Sequence, residues 1–333
     1  MFRSRPVPAL ASLLAATAII VGACGGTSGP LGTVPPASTE PEPSVALGSP
    51  DLTPAPSADG TDEPTDAPTG SPAPSTAGGS APPSASPAGT TLVRSYFWLG
   101  GLPGSEGLVA VLREVPGTKA VATAAVNALL AGPSTGEKGR SITSSVPAGS
   151  QLLGLKIEAG VATVDLSKEF ESGGGSASVM GRLGQMVYTL TQFPTVKSVV
   201  FQIEGETKTV FSGEGVVLDK PATRADFVDL LPDIWVDRPA FNAAIGNPAH
   251  VTGNANVFEA TFRMSIIDAA GKTIADVGVM ASCGTGCRGT FDTTIPYTVS
   301  KGQYGILRAY NLSAKDGTPE SIRDYRVWLT PKS

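Results

Sequence analysis

The sequence predicts two folded domains behind a long disordered linker: an α+β domain with two helices on a small sheet, and then an all-β sandwich. Three observations predict this architecture. Residues 25–91 are almost wholly Pro, Ser, Thr, Ala and Gly, and such a segment has too little apolar surface to offset the entropy lost on ordering. Between residues 92 and 219, helical and strand periods of apolar residues alternate. From residue 231 to 333 the helical period disappears, and short alternating segments recur between turn residues.

Residues 1–23 have the layout of a secretory signal peptide. Two arginines and no acid precede an apolar run at 9–21 that is too short to span a bilayer comfortably. The run ends in a hydrophobe, two small residues and Cys24, which resembles the lipobox of bacterial lipoproteins, although Val21 stands where Leu is usual. The resemblance implies that Cys24 is lipidated and anchors the chain to the outer face of the cell membrane. An ordinary secretory signal and an uncleaved anchor are the alternatives.

Cys24 and the disordered linker together occupy residues 24–91. The linker carries seven acids and no Lys or Arg. A flexible chain of this length has an end-to-end distance of about 45 Å, so we expect it to hold the folded domains away from the lipid. Because the formal net charge of the whole chain is -5, the folded part is close to neutral. Nucleic-acid binding needs a basic surface, and we therefore expect no nucleic-acid partner.

The first folded domain is predicted to span residues 92–219, with residues 220–230 as a connector. Its helices are indicated by apolar residues on one helical face and by turn or capping residues at their ends. The predicted elements are strands at 95–99 and 108–112, a helix capped by Thr118 and ended by Gly132, a hairpin of 153–157 and 162–166, a helix opening at Ser176 or Ser178 and ending before Phe193, and a strand at 199–203 with 210–211 as a candidate partner.

Four segments of this domain carry a family resemblance: the helix end at 127–133, the strand end at 164–167, the triple glycine at 173–175 and the strand at 199–205. They resemble the GerMN domain of sporulation and germination lipoproteins, which also occurs in envelope lipoproteins of bacteria that make no spores. The resemblance implies a helix, strand, strand, helix, strand order. Since that order is similar to ring-building modules of envelope channels, it also implies a homo-oligomer.

The second folded domain is predicted to span residues 231–333. About seven short strands with regularly spaced turns favour an immunoglobulin-like sandwich. The predicted strands lie at 234–236, 258–266, 274–277, 289–295, 305–309 and 325–329, with turns at 268–272 and 315–317. Segments 251–255, 257–260 and 313–317 resemble Gmad2, the immunoglobulin-like domain that often follows GerMN. This resemblance offers no catalytic residues.

Two cysteines besides Cys24 lie close together, at Cys283 and Cys287. In an exported protein they form an even pair, and the glycines between them permit a tight loop. We expect a structural disulfide. A redox pair and half of a zinc site are the alternatives, but redox motifs usually place two residues between the cysteines, and the sequence lacks a second pair of ligands.

The sequence contains few candidates for catalysis. The one histidine, His250, precedes a predicted strand, and no Gly-x-Ser-x-Gly motif supplies a nucleophile beside a helix. Residues 271–273 imitate the end of a phosphate-binding loop but join two predicted strands, so we interpret them as a hairpin turn. Asp165, Glu169 and Glu171 are clustered, yet without a calcium-loop spacing they are interpreted as solvated acids.

Three tryptophans, Trp98, Trp235 and Trp328, fall in predicted strands. Tryptophans stack on sugar rings in some wall-binding proteins, but at strand positions they pack in cores or along edges more often. We therefore expect a non-enzymatic, membrane-anchored envelope lipoprotein that binds or scaffolds other envelope proteins, without a cofactor or metal. The alternative is a module that binds peptidoglycan and assists wall remodelling, and an enzyme that uses unrecognised carboxylates is a weaker third hypothesis.

Overall fold

The structure is a computed structural model that describes residues 89–211 and 215–332. The signal peptide, Cys24 and nearly all of the linker lie outside the described residues. In the described part, a mixed α+β domain precedes a sandwich made of strands, as the sequence predicts. Within these residues no helix is long and apolar enough to cross a membrane.

The first domain contains three helices and nine strands among the described residues. They are β1 (Thr90–Leu99), β2 (Gly107–Pro116), α1 (Val121–Leu130), α2 (Thr135–Lys138), β3 (Ile142–Thr143), β4 (Leu152–Glu158), β5 (Val161–Leu166), a 3-10 turn at Lys168–Glu171, α3 (Ser176–Leu190), β6 (Ser198–Ile203), β7 (Glu206–Thr207), β8 (Val210–Phe211) and β9 (Val216–Val217). The order α1, β4, β5, α3, β6 is the predicted one.

These strands form two sheets and a ribbon in place of the single small sheet that the sequence suggests. One sheet has the order β2-β1-β3, and the other has the order β4-β5-β6-β7, in which β5 and β6 run parallel. Strand β8 pairs with β9, so the prediction that residues 210–211 pair with the strand at 199–203 is wrong. That strand, β6, pairs with β7 instead, because the chain turns back at once through Glu204 and Gly205, both with positive φ.

Helix α3 completes one edge of β1 with its side chains. Gln192 bonds both the N–H and the carbonyl of Arg94, at 2.9 and 2.6 Å. Gln192 lies two residues beyond the end of α3. Within the helix, Thr189 accepts a hydrogen bond from the Tyr96 N–H and Gln185 donates one to the Tyr96 carbonyl, at 3.1 and 2.9 Å. A buried backbone group without a partner is costly, so this polar stripe permits a short sheet to end inside the protein.

The loop before α3 is held by a buried arginine. Arg182 is 2% exposed, and its guanidinium donates to the carbonyls of Phe170, Ser172 and Gly173 at 2.6, 3.0 and 2.5 Å. Burial lowers the pKa of Arg182. The triple glycine that the sequence places before this helix therefore wraps around a cation from the helix itself.

The predicted N-terminal cap of α1 is wrong. The helix begins at Val121 after Ala120, and the Thr118 hydroxyl accepts a hydrogen bond from the Ala120 N–H at 3.0 Å, outside the helix. The predicted end is correct, since Gly132 adopts the positive φ of 77° that suits a glycine after a helix. The second predicted helix corresponds to α3, which begins at Ser176, one of the two predicted serines.

The second domain contains eight strands among the described residues. After a 3-10 segment at Arg224–Leu230 they are β10 (Ile234–Arg238), β11 (Ala244–Ile245), β12 (Ala249–Ala255), β13 (Thr261–Ile267), β14 (Thr273–Met280), β15 (Gly289–Ile295), β16 (Gln303–Leu312) and β17 (Pro319–Leu329), with a second 3-10 turn at Phe258–Ala260. They form sheets of order β10-β12-β15 and β11-β17-β16-β13-β14. Phe262 and Phe291, one from each sheet, meet edge to face with ring centroids 5.0 Å apart.

One predicted strand of this domain begins too early. The sequence pattern places it at 258–266, but β13 starts at Thr261 and Phe258 lies in the 3-10 turn with 65% of its surface exposed. The pattern fails because Glu259 and Ala260 both adopt positive φ, at 52° and 56°, which breaks the extended backbone.

The two domains are joined through the buried side of β1 and β2. Arg323 of β17 is 2% exposed and donates to the carbonyls of Ser105, Gly107 and Leu108 at 2.5, 3.1 and 2.8 Å. The Trp235 indole N–H donates to the same Leu108 carbonyl at 3.0 Å. A charged side chain of the second domain thus contacts backbone carbonyls of the first domain.

A backbone bridge and a cluster of rings extend this junction. Phe241 donates its N–H to the Ala110 carbonyl and accepts from the Leu112 N–H, at 2.7 and 3.0 Å. Trp235 packs against Tyr188 and Tyr96, with ring centroids 5.5 and 6.4 Å away. Burial and then the nearby Asp237 carboxylate raise the pKa of Tyr96, so its hydroxyl stays protonated and donates to Asp237 at 2.8 Å.

We expect Arg323→Ala to lower the free energy of unfolding by roughly 3 kcal/mol or more, because three buried carbonyls each lose a charge-assisted hydrogen bond, although that of Leu108 keeps the one from Trp235. Urea unfolding of the full-length chain in detergent measures the loss. Arg308→Ala is the matched control, because Arg308 lies on the neighbouring strand in a half-exposed ion pair with Asp324 and its loss should cost less than about 1 kcal/mol. Equal losses in the two variants would contradict the proposed role of Arg323.

Glu137 makes the junction sensitive to acid. Its carboxylate accepts hydrogen bonds from Arg113 at 2.6 and 2.7 Å, from the Ser134 N–H at 2.8 Å and from Asn242 of the second domain at 3.3 Å. Burial by itself raises the pKa of Glu137, but the hydrogen bonds from Arg113 and Ser134 outweigh it and the net pKa is lowered. The ionised form is therefore the one that stabilises the fold.

A carboxyl with a lowered pKa stabilises the fold above its ordinary pKa of 4.5, and this contribution is lost as the pH falls through the lowered value. We expect Glu137→Gln to reduce stability at neutral pH and to flatten the decline in stability below pH 4.5. Urea midpoints measured from pH 7 down to the acid limit of folding test this. Glu106→Gln, at an exposed position, is the control and should leave the profile unchanged.

Candidate functional site

The predicted cysteine sites have different outcomes. Cys24 lies outside the described residues, so its lipidation stays a prediction. The structure records Cys283 and Cys287 as a disulfide pair with Cα atoms 6.1 Å apart. The loop between them packs on the turn at Phe258–Ala260, where Thr285 donates its N–H to the Val257 carbonyl and accepts from the Glu259 N–H, at 3.0 and 3.1 Å. The loop therefore braces the turn that exposes Phe258.

The candidates for catalysis are not brought together. His250 lies on β12, where its Nε2 is 2.6 Å from Asp292 Oδ1 in a pair that is more than half exposed. Asp165 accepts a hydrogen bond from the Gly205 N–H at 2.9 Å, and Glu171 pairs with Lys208 at the same distance. In the part of the chain that the structure describes, no three His, Cys, Asp or Glu side chains are grouped to hold a metal ion.

The predicted hairpin turn at 271–273 joins β13 to β14. Asp268 arranges it by accepting hydrogen bonds from the N–H groups of Ala270 and Lys272, both at 2.9 Å. These backbone donors are used within the turn and do not cradle a phosphate. The interpretation as a turn is therefore consistent with the observed geometry.

The three tryptophans occupy three different environments. Trp235 is 3% exposed at the domain junction, and Trp98 is half-buried on β1. Trp328 is 38% exposed, but it packs against the backbone of Gly302 and lies edge to face with Tyr304 at 5.0 Å. Arg326 covers the Tyr304 ring at 3.3 Å from the centroid. The described tryptophans thus form no pair of open ring faces for a sugar.

An apolar hollow of about 700 Å³ lies on the second domain. Three large apolar side chains line it and are exposed: Phe258 by 65%, Met280 by 72% and Leu312 by 49%. Glu259, Arg263 and Glu320 supply charges to its lining, so the apolar centre is bordered by polar groups. Exposed apolar surface with a polar border is typical of an interaction site.

Asn311, which lines the hollow, carries an unsatisfied hydrogen-bond acceptor. Asn311 Oδ1 is buried and accepts no hydrogen bond from the residues that the structure describes. The register between β16 and β17 shifts between Ala309 and Asn311, and such a bulge redirects side chains. A buried acceptor without a donor is costly, so the bulge that directs Asn311 inward weakens the fold locally.

The edge of a sheet runs beside the hollow. Strand β14 ends with Met280 and is the last strand in the order β11-β17-β16-β13-β14, so its outer edge is paired with no described strand. Along this edge Gly278 has open space where a side chain would stand. An unpaired edge offers backbone donors and acceptors to an incoming strand.

Arg323, Asn311 and the exposed position of Phe258 were not predicted from the sequence. A signal for Arg323 was present, since it alternates in phase with the buried Tyr325, Val327 and Leu329, a pattern that places a charge on an apolar face. No comparable signal marks Asn311, because a bulge sets its direction. The positive φ of Glu259 and Ala260, which follow Phe258, likewise cannot be predicted from the residue types Glu and Ala.

Two family models match the chain. The model named Germane, for sporulation and spore germination, matches residues 96–209, and Gmad2, an immunoglobulin-like domain of bacterial spore germination, matches residues 233–318. The resemblances to GerMN and Gmad2 are thereby confirmed. A comparison with curated proteins found no match.

Several solved structures are similar over part of the chain. The first GerMN domain of the sporulation protein GerM from Bacillus subtilis is 21% identical, over 41% of this chain and 100% of that chain, with a TM-score of 0.35. The tandem GerMN domains of GerM are 17% identical, over 57% of this chain and 59% of that chain, with a TM-score of 0.36. A candidate lipoprotein from Clostridium perfringens is 21% identical, over 43% of this chain and 93% of that chain, with a TM-score of 0.30.

All three TM-scores lie below 0.5, so the assignment rests on the family models. The two matches fall in the order in which the α+β domain and the sandwich occur. The chain therefore contains a Germane domain of sporulation and spore germination, followed by a Gmad2 immunoglobulin-like domain.

Proposed function

We propose that this protein is a non-enzymatic scaffold of the bacterial cell envelope, held at the outer face of the membrane by a lipid on Cys24. The observation that carries the proposal is the apolar hollow beside the unpaired edge of β14. Its occupant is an envelope protein that supplies an extended apolar segment. The family descriptions, sporulation and spore germination, support a role in envelope processes of this kind.

The chemistry of the hollow specifies what the partner segment must contain. Main-chain groups of an added strand would pair with the outer edge of β14, as in other cases where a peptide extends a sheet. Alternate side chains of that strand would pack on Phe258, Met280 and Leu312.

The domain junction suits a scaffold because it fixes the direction in which the hollow faces. Arg323 and Trp235 connect the sandwich to the Germane domain through buried hydrogen bonds. An interface in which both partners are already ordered loses less entropy on binding. A partner held by the hollow would therefore also be positioned relative to the first domain.

The geometry gives less support to an enzyme or to a glycan-binding module. An enzyme that uses general bases needs them beside a nucleophile, and the described His250 faces Asp292 at the surface. Sugar stacking needs an open aromatic face, and Trp328 contacts Gly302 and Tyr304. These observations favour the scaffold over the alternative of direct glycan recognition.

A photo-crosslinking amino acid at position 280, introduced into the full-length protein in living cells, tests the proposal. We expect mass spectrometry to identify one or a few envelope proteins attached at this position, or a second copy of the chain. The matched control is the same amino acid at position 102, because Leu102 is 74% exposed and lies in the first domain. We expect the control to yield none of these adducts.

A second variant separates binding at the hollow from accidental proximity. With the crosslinker at position 258, Met280→Asp should reduce the yield of the partner adduct strongly, because it places a charge in an apolar contact. Adducts with muropeptides alone, or the same proteins from positions 280 and 102, would overturn the scaffold proposal.

A further inference from the structure

A second concavity, of about 330 Å³, opens where the two domains meet, and it shares no lining residue with the hollow. Its walls are partly apolar and come from both domains. Leu99 belongs to the first domain, whereas Phe241, Ile306 and Ile322 belong to the second. We call this concavity the junction cleft. It exists only because the domains are joined.

The junction cleft has two arginines whose charge is not neutralised. Arg140 of the first domain is exposed and donates to the Gly136 carbonyl at 2.8 Å. Arg326 of the second domain donates to Asn242 Oδ1 at 2.7 Å and lies over the Tyr304 ring. Over the residues that the structure describes, no salt bridge joins either arginine to a carboxylate.

The other charged groups of the lining do not cancel this charge. Asp324 is engaged by Arg308, which donates to both of its carboxylate oxygens at 2.7 and 2.8 Å. Arg323 is a third cation of the lining, and its N–H groups are used by three backbone carbonyls and by the Tyr325 hydroxyl. The cleft therefore combines excess positive charge with apolar walls.

From this geometry we propose that the junction cleft binds the C-terminal carboxylate of a short peptide that ends in small apolar residues. Guanidinium groups form charge-assisted and often paired hydrogen bonds with carboxylates, which is why arginine recognises them. The walls formed by Leu99, Phe241 and Ile306 accept small apolar side chains next to that carboxylate. A volume of this size suits the end of a peptide rather than a folded surface.

The backbone at the cleft supports a binding role. Ser141, which lines the cleft next to Arg140, adopts a φ of 61°, a conformation uncommon for a residue with a side chain. Its carbonyl accepts a hydrogen bond from the Gly100 N–H at 2.9 Å, which fixes the turn in place. Strained residues of this kind cluster at ligand sites. The proposal does not depend on the hollow or on its partner.

Calorimetric titration of the full-length protein in detergent tests the proposal with N-acetyl-Lys-D-Ala-D-Ala as the probe. We expect measurable binding of the free acid, and binding weaker by roughly tenfold or more when the C-terminal carboxylate is replaced by an amide. Equal binding of the acid and the amide, or binding of neither, would overturn the proposal.

Variants show whether the cleft itself holds the carboxylate. Arg140→Ala and Arg326→Lys should each weaken binding of the free acid by roughly tenfold, since the first loses a charge and the second loses the planar fork. Lys138→Ala is the matched control, because it removes an exposed positive charge two residues from Arg140 but outside the lining. An unchanged melting temperature shows that each variant is folded. Equal weakening by Lys138→Ala would indicate net charge alone and would overturn the proposal.

A peptide carboxylate has two sources outside the cell, wall stem peptides and protein C-termini, and the chirality of the probe distinguishes them. Preference for the probe ending in D-Ala-D-Ala assigns the cleft to the wall peptide, and preference for the L-Ala-L-Ala form assigns it to a protein terminus. Both preferences support carboxylate recognition. Displacement of either probe by an equal concentration of inorganic phosphate would reveal an unspecific anion site and would contradict the proposal.

Discussion

The guanidinium of Arg323 is a buried cation from the second domain that is held by three backbone carbonyls of the first, and the arrangement of the whole folded region depends on it. A buried charge is tolerated only when its hydrogen bonds are complete, so the carbonyls of Ser105, Gly107 and Leu108 must stay in place. The backbone there has little freedom, because Gly107 has a φ of 145° and a side chain at this position would collide with Leu230 and Pro232.

Buried side chains complete backbone hydrogen bonds at two further places in the first domain. Arg182 occupies the carbonyls of the loop before α3, and Gln185, Thr189 and Gln192 complete the open edge of β1. Side chains thus supply the hydrogen bonds that a further strand would supply in a larger sheet. The outer edge of β14 is different. No described strand pairs with it, and no described side chains bond along it in the way that those of α3 bond along β1.

The sequence predicted the elements that have a long, clean period. The hairpin of β4 and β5, helix α3 and strand β15 all appear where the apolar pattern places them. Burial on one face explains β5 and β15, whereas α3 is buried on all sides over residues 181–190 and β4 leaves Leu153 and Ile157 exposed. It did not predict features set by single backbone angles or by contacts between distant residues. The pairing of β8, the turn that exposes Phe258 and the junction cleft belong to this second group. For the site, the scarcity of catalytic motifs and the family resemblances predicted a binding protein without locating the surface, because exposed apolar residues look like core residues in a sequence.

The central claim is that the two domains form one fixed unit, and the distance between paramagnetic labels tests it most directly. Labels attached through unnatural amino acids at positions 156 and 315, both exposed and one in each domain, avoid the cysteines. Pulsed electron resonance on the full-length protein in detergent should give one narrow distance distribution, which broadens in Arg323→Ala. A broad distribution in the unmodified sequence would contradict the account, because it would show that the domains move independently.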